Sequence, residues 1–282
     1  MVIIVADTTS GITPENAAEI GVEYIPQIIV FGENSYRDDN ELDSITFLKM
    51  LAASSTLPKT AAPPPALYTP IFKKHLENKN IVIVICPSAD LSGTFRSATI
   101  AAQDFPEADI RIIDTRTVAG GLGQIVQESA RLAKAGKSAD FIVNEIKLMA
   151  THEKVYFLVD TLEYLYKGGR IGGASALFGS ILQVKPILTL KDGRIEAFEK
   201  QRSRQRALAR LIDLVTQDYP QNENGFLSIS HGNALDVAEN LAKEFAQRLN
   251  ITNIPIFNLP PAILVHAGPG VLEVSFFNSA SR

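Results

Sequence analysis

Three features of the 282-residue sequence predict an α/β fold, with a parallel sheet in its first half and antiparallel pairing in its second. Short β-branched runs alternate with helix-forming stretches as far as residue 159, the pattern of a parallel sheet covered by helices. An Asp-Gly pair, suited to a turn that needs positive φ, separates two strand-like runs between 186 and 200. Beyond it, two amphipathic helices are interleaved with further short apolar runs.

Residues 2–5 read as a strand, after which Thr13, Pro14 and Glu15 supply an N-cap, a proline at the first helical position and an early acid. Residues 81–85 form a second strand leading through "CPSADLSGT" into a helix over 94–103, then a strand over 110–113 with Asp114 and Thr115 at its end. Helices follow over 121–134 and 138–150, the latter with Ile142, Ile146 and Met149 on one face, before a strand at 155–159 near which the first unit closes. The second unit opens with the hairpin, 186–190 and 195–200. Leu208, Leu211, Ile212 and Val215 then mark one helix, and Ala238, Leu241, Phe245 and Leu249 another. Strands near 226–230, 254–257, 262–265 and 271–277 complete it. The segment 54–66, "SSTLPKTAAPPPA", should be extended, as a connection or as an ordered loop lining a site.

Hydrophobic residues at 46%, charged residues at 21% and a mean hydropathy of +0.08 exclude disordered and fibrous classes. Apolar runs such as 81–86 fall far short of the ~20 residues that span a bilayer, and the apolar start at 2–6 has no basic flank or cleavage pattern of a signal peptide. The lone Cys86 can form neither an internal disulfide nor a cysteine-based zinc site, which suits a reducing cytoplasmic setting. A net charge of −4 gives no nucleic-acid footprint. There is no P-loop, no G-x-S-x-G elbow, and "GGLGQIV" at 120–126 has Val126 where a dinucleotide fingerprint needs its third glycine. No cofactor and no metal are expected.

Asp7-Thr8-Thr9 and Ser92-Gly93-Thr94 each follow a predicted parallel strand, so both should gather at the carboxyl edge of the sheet, where open α/β folds bind ligands. Helix N–H groups, the close approach allowed by Gly93 and the hydroxyls of Ser92 and Thr94 suit an anion or carboxylate. Spacing alone equally allows Ser92 or Thr94 to be a helix cap. His266, between the apolar run 263–265 and Ala267-Gly268-Pro269-Gly270, reads as an imidazole at a strand end, in contact with a ligand or bonded to the turn. His231 before Gly232 has the same form, whereas His75 and His152 sit among charges and read as surface residues. The stretch 174–184 is small or apolar on nearly every face, as in a helix buried all round or the wall of an apolar tunnel. "KQRSRQR" at 200–206 is a solvated helix start or a surface for an anionic partner. On paper, Ser92, His266 and an acid such as Asp7 also spell a hydrolase triad.

Taken in order, Asp7-Thr8, "LSGTFRSA" at 91–98, "DTLEYLYKGGRIGGASALFGSILQVKPIL" at 160–188 and "HAGPG" at 266–270 resemble the DegV family, which includes the fatty-acid-binding subunits of bacterial fatty acid kinase. The resemblance covers essentially the whole chain. It implies an N-terminal α/β domain over 1–160, a smaller C-terminal α/β domain over 161–282 whose last strands reach the ligand, and a long-chain fatty acid in a tunnel between or beside them. It implies a carrier rather than a catalyst, with a separate ATP-binding kinase subunit as partner, and it allows transient membrane contact. The family's Thr-Ser-x-Pro-Ser motif falls on 60–64, where Thr60 and Pro63 match and both serines are absent. The carboxylate set it implies is Thr60, Ser92 and His266, with Gly93, Thr94, Asp7 and Gly268 in the vicinity. Arg170 and Arg202 are implied contacts for an acyl-phosphate or the partner surface, and Glu273 stands where a small residue is common in the family. At ~0.8 kcal/mol per buried CH₂ a sixteen-carbon chain offers roughly 11 kcal/mol gross, reduced by ordering and association. A Ser/His hydrolase acting on acyl esters and a small-molecule sensor on the same fold are the competing readings.

Overall fold

The computed structural model describes residues 1–180, 184–220 and 225–278. Strand β1 (Val2–Asp7) ends where the Asp7 carboxylate accepts the Thr9 N–H and caps a single 3-10 turn. Helix α1 (Pro14–Ile20) begins as its sequence dictates, with the Thr13 hydroxyl accepting from the Asn16 N–H and Pro14 in the first turn. After β2 (Val22–Ile25) come elements that the sequence pattern does not single out: β3 (Ile28–Phe31), β4 (Asn34–Arg37), α2 (Ser44–Ala53), β5 (Lys59–Ala61) and α3 (Thr69–Glu77). The chain then alternates as expected through β6 (Ile81–Cys86), α4 (Thr94–Ala102), β7 (Ile110–Asp114), α5 (Ala119–Lys134) and α6 (Ala139–His152) to β8 (Glu153–Leu158). Beyond it lie α7 (Glu163–Lys167), a 3-10 segment (Gly172–Ser180), β9 (Lys185–Lys191), β10 (Arg194–Gln201), α8 (Arg204–Asp218), β11 (Gly225–His231), α9 (Leu235–Leu249), β12 (Ile256–Asn258), α10 (Pro261–Ala267) and β13 (Leu272–Asn278).

Among the described residues the strands form three sheets. The first, in the order β2-β1-β6-β7, is parallel throughout. The second, β10-β9-β8-β13-β11-β12, is antiparallel except for the β11–β12 pair. A small antiparallel sheet, β4-β3-β5, completes the set. Strand β8, which a division at residue 160 leaves with the N-terminal half, is hydrogen-bonded between β9 and β13 of the second sheet.

The layers follow from which faces are apolar. Helices α3 and α4 cover one face of the parallel sheet through Phe72, Ala98 and Ala101, and α5 and α6 cover the other through Leu122, Ile125, Ile142 and Ile146. Helices α8 and α9 cover the outer face of the second sheet, packing Leu211, Val215 and Phe245 on Leu227, Ile229, Val274 and Phe276. Helix α5 therefore lies between the two large sheets, in contact with β1 on one side and with β11 and β13 on the other. Each of Leu122, Ile125 and Val126, all fully buried, contributes about 1.5–3 kcal/mol of burial.

Three sequence expectations are corrected. Residues 262–265 are helical, inside α10, because Pro261 occupies its first turn and Ala262, Leu264 and Val265 are all buried in the core between the sheets. In the stretch 174–184, Ala174 and Leu177 are buried at 3-10 spacing while Ser175 and Ala176 are exposed, so its described part is not enclosed on all sides; 181–183 lie outside the described residues. His75 is buried rather than superficial, held by Glu23 at 3.0 Å and by Asn80 at 3.1 Å. His152 is exposed, as expected. The hairpin has its predicted turn, with Asp192 at φ 52° and Gly193 at φ 83°.

Glycines let α5 fit between the sheets. A β-carbon on Gly120 would stand 2.7 Å from the Ser230 hydroxyl and 2.9 Å from that of Ser228, one on Gly121 would overlap the Glu153 carboxyl, and one on Gly123 would overlap the Ser10 carbonyl. "GGLG" is thus a close-packing motif. Because the Ser10 carbonyl is main chain and cannot swing aside, Gly123→Ala should destabilise the protein by about 1–3 kcal/mol. Urea unfolding will measure it, and an unchanged midpoint would contradict this account of the packing.

Candidate functional site

The seam between α5, the small sheet and the second sheet holds a cavity of about 120 Å³. Thr60 from the edge strand β5, Ser92 and Gly93 from the loop before α4, Arg170 after α7 and His266 in the last turn of α10 all line it. The proline-rich segment is therefore an ordered part of the site: Ala62 lines the cavity beside Gly93, and the Ser97 hydroxyl donates to the Pro63 carbonyl. Most of the remaining wall is apolar, from Val155 and Phe157 on β8, Leu190 on β9, Ile195 on β10 and Val118 and Ala119 at the start of α5. Ala119 takes φ 58°, a conformation that costs an L-residue roughly 1–2 kcal/mol, where the chain turns into the helix.

The polar wall is wired as two groups. The Thr60 hydroxyl and His266 Nε2 are hydrogen-bonded at 2.8 Å, while His266 Nδ1 has no hydrogen-bond partner among the described residues and faces Gly168, where a β-carbon would overlap it. Burial, and then the nearby Arg170 cation, push the His266 imidazole down from 6.5 to about 4, so the ring is neutral at physiological pH. Behind Ser92, the Thr94 hydroxyl lies 3.0 Å away and donates to Asp7 Oδ2 at 2.8 Å. Gln27 Nε2 donates to the same carboxylate at 2.6 Å and to Thr94 Oγ1 at 2.8 Å. Burial raises the Asp7 pKa against hydrogen bonds from Thr9, Thr94 and Gln27. Asp7 and Thr94 thus stand one layer behind the cavity and orient Ser92.

The loop carrying Ser92 is pinned from the opposite half of the molecule. Arg170 Nε donates to the Leu91 carbonyl at 3.1 Å and its Nη1 to the Gly168 carbonyl at 2.7 Å. The Ser88 hydroxyl donates to the Gly193 carbonyl at the hairpin tip at 2.7 Å, and Arg194 pairs with Asp90 at 2.8 Å. The Arg170 charge faces no carboxylate among the described ion pairs, and burial lowers its pKa. Arg202 is exposed and, like Gly268, does not line the cavity; Gly268 instead caps α10 at φ 74° with its α-carbon against the Tyr164 ring. His231 is buried elsewhere, its Nδ1 accepting from the Ala234 N–H.

A hydrolase triad is not assembled by these bonds. His266 meets Thr60 rather than Ser92, and Asp7 meets Thr9, Thr94 and Gln27 rather than the imidazole. The sequence reading missed Gln27, which lines the cavity and ties Asp7 to Thr94, and which also donates its backbone N–H to Asp38 at 2.8 Å. It left Glu273 uninterpreted; the structure places that carboxyl on the cavity wall. Among the described residues no helix is long and apolar enough to cross a membrane, and no cluster of three or more His, Cys, Asp or Glu could hold a metal ion.

Residues 1–279 match the uncharacterised DegV protein family. A DegV domain-containing protein of Deinococcus radiodurans is 34% identical over 276 residues, covering 97% of each chain. A solved DegV family protein of Thermus thermophilus, described for its fatty acid binding, superposes with a TM-score of 0.92 at 28% identity over 98% of this chain and 99% of that one. DegV of Bacillus subtilis, described as a fatty acid binding protein, gives a TM-score of 0.89 at 30% identity, over 98% and 99% of the two chains. This chain belongs to the DegV family.

The depressed His266 pKa has a defined sign. The unfolded chain takes up this proton near pH 6.5 and the folded protein only near pH 4, so the ring contributes a loss of stability as pH falls from about 6.5 to about 4. His266→Gln should lessen that acid sensitivity relative to wild type in paired unfolding curves. In NMR titrations the wild-type ring should stay neutral to below pH 5, and a midpoint near its ordinary value would contradict the burial described.

Proposed function

We propose that the cavity holds a long-chain fatty acid, its carboxylate received by Thr60, Ser92 and His266 beside Arg170 and its hydrocarbon lying against Val155, Phe157, Leu190 and Ile195. The observation that carries this reading is the convergence of two hydroxyls, a neutral imidazole and a guanidinium with no carboxylate partner among the described residues on one side of an otherwise largely apolar cavity. A buried carboxylate is costly unless hydrogen-bonded, and these groups supply donors together with the compensating charge. The fatty-acid-binding descriptions of the Thermus and Bacillus proteins support the same ligand class. Ala61 and Pro64 remove two hydroxyls of the family motif, so the head group depends more heavily on Thr60 and Ser92.

We further propose that the protein is a non-catalytic cytoplasmic carrier that presents its fatty acid to an ATP-binding kinase subunit. The triad wiring that a hydrolase needs is not present among the described hydrogen bonds, and the exposed Arg202 is available to an anionic partner surface.

Mass spectrometry of lipid extracted from the purified protein should show a long-chain fatty acid. Ser92→Ala and Thr60→Ala should each weaken palmitate or oleate binding by about 1–3 kcal/mol. Absence of copurified lipid together with failure to bind either acid would sink the reading, and wild-type affinity in both variants would move the carboxylate elsewhere.

Arg170 and Arg202 should separate, because only the first lines the cavity. Arg202→Ala should keep lipid occupancy while slowing phosphorylation by the kinase subunit, and Arg170→Ala should lower both. Arg170→Lys should restore them only in part, since an ammonium cannot reproduce the guanidinium fork. Equal phosphorylation rates for wild type and Arg202→Ala would remove Arg202 from the partner surface.

A further inference from the structure

The face of the second sheet turned toward α5 changes character along its width. Register sets Glu273 opposite Phe157 on β8 and Ser230 on β11, and Ser275 opposite Val155 and Ser228. Directly paired residues share a face, so the apolar cavity wall made by Val155 and Phe157 runs directly into a polar island of Ser228, Ser230, Glu273 and Ser275. Glu153 joins it by accepting from the Ser275 hydroxyl at 3.0 Å. The island is buried: Glu273 is 5% exposed, Ser228 1% and Ser230 0%.

Its hydrogen bonding is incomplete, and the gap includes Glu273, the member of the island that reaches the cavity. Glu273 Oε2 accepts the Gly120 N–H in the first turn of α5 at 3.2 Å, and the Ser230 hydroxyl stands against the same carboxyl, but among the described residues Oε1 has no hydrogen-bond partner, and neither does the Ser228 hydroxyl. Buried polar atoms left in this condition are costly, and a purely hydrocarbon ligand cannot relieve them. Glu273 itself lines the cavity. Burial pushes its carboxyl up to about 7 and that of Glu153 up to about 8, so Glu273 retains an acid proton over part of the neutral range and can donate as well as accept.

We propose that this cavity takes an oxygenated acyl chain, a hydroxy- or oxo-substituted fatty acid whose substituent hydrogen-bonds the Glu273 carboxyl on the sheet wall, with Ser230 behind it. This rests on the fatty-acid reading above and names the substrate class within it. Thr60, Ser92 and His266 take the carboxylate, and Glu273 selects along the chain.

The test compares affinity for stearate with affinity for a positional series of monohydroxystearates, the hydroxyl moved from mid-chain to the terminal carbon. At least one isomer should bind about tenfold more tightly than stearate, since a cavity with an unpaired polar group discriminates against the ligand lacking its partner. Glu273→Val should abolish the preference while tightening stearate, with Glu273→Ala in its place should the valine variant fail to fold. Glu273→Gln, which keeps a neutral donor and acceptor, should retain a preference. Stearate binding at least as tightly as every isomer, or a preference that survives in the valine or alanine variant, would overturn the proposal and leave the fatty-acid reading standing. Failure to bind stearate or any isomer would overturn both.

Discussion

The burial of α5 against both large sheets sets the distance between the two halves of the molecule. At three positions of its first turns, Gly120, Gly121 and Gly123, there is no room for a side chain: the Ser10 carbonyl presses on one side and the serine and glutamate side chains of the second sheet press on the other. Where the helix begins, at Val118 and Ala119, this filling stops and the cavity opens. The ligand space is therefore what remains beside an interface that glycines close at the start of the helix and aliphatic side chains fill further along it. Its position is fixed by main-chain sterics, and its character by the loops that converge on it.

Those loops bring polar groups of two kinds into an apolar seam. On the Thr60 side the groups are donors and a cation, with a histidine kept uncharged by burial and by its arginine neighbour. On the sheet wall the groups are carboxyls that burial drives toward the protonated form. The two sets have opposite tastes, one suited to an anion and the other to a neutral polar group. A single amphiphilic molecule could satisfy both, because the hydrocarbon surface between them excludes the water that would otherwise level the difference.

Much of the scaffold was legible because the strands of a parallel sheet read as uninterrupted β-branched runs, as at 2–5 and 81–85. Thr60, Ser92 and His266 could be singled out by resemblance, and they do line one cavity. The region from β3 to α3 was not legible, since its strands are only three or four residues long. Helix α10 imitates a strand because Ile263, Leu264 and Val265 form a short apolar run without a resolvable period; the Pro-Pro pair before it was the available signal. His75 was misread because its neighbours Lys73 and Lys74 suggested a wet surface, although Phe72 lies three residues earlier on the same buried face. The polar island was invisible for a different reason. Ser228, Ser230 and Glu273 become neighbours only when β11 and β13 are paired in register.

The contacts that hold the Ser92 loop share a chemical asymmetry. Apart from the Arg194–Asp90 ion pair, Arg170 and Ser88 supply the donors and the acceptors are the carbonyls of Leu91, Gly168 and Gly193, which every residue type carries. The bond to position 91 is thus indifferent to the side chain there, and the loop can accumulate substitutions at its acceptor positions, within the limits of backbone conformation, without losing its anchorage. Evolution can retune the lining of the cavity while the loop that defines its mouth stays where it is.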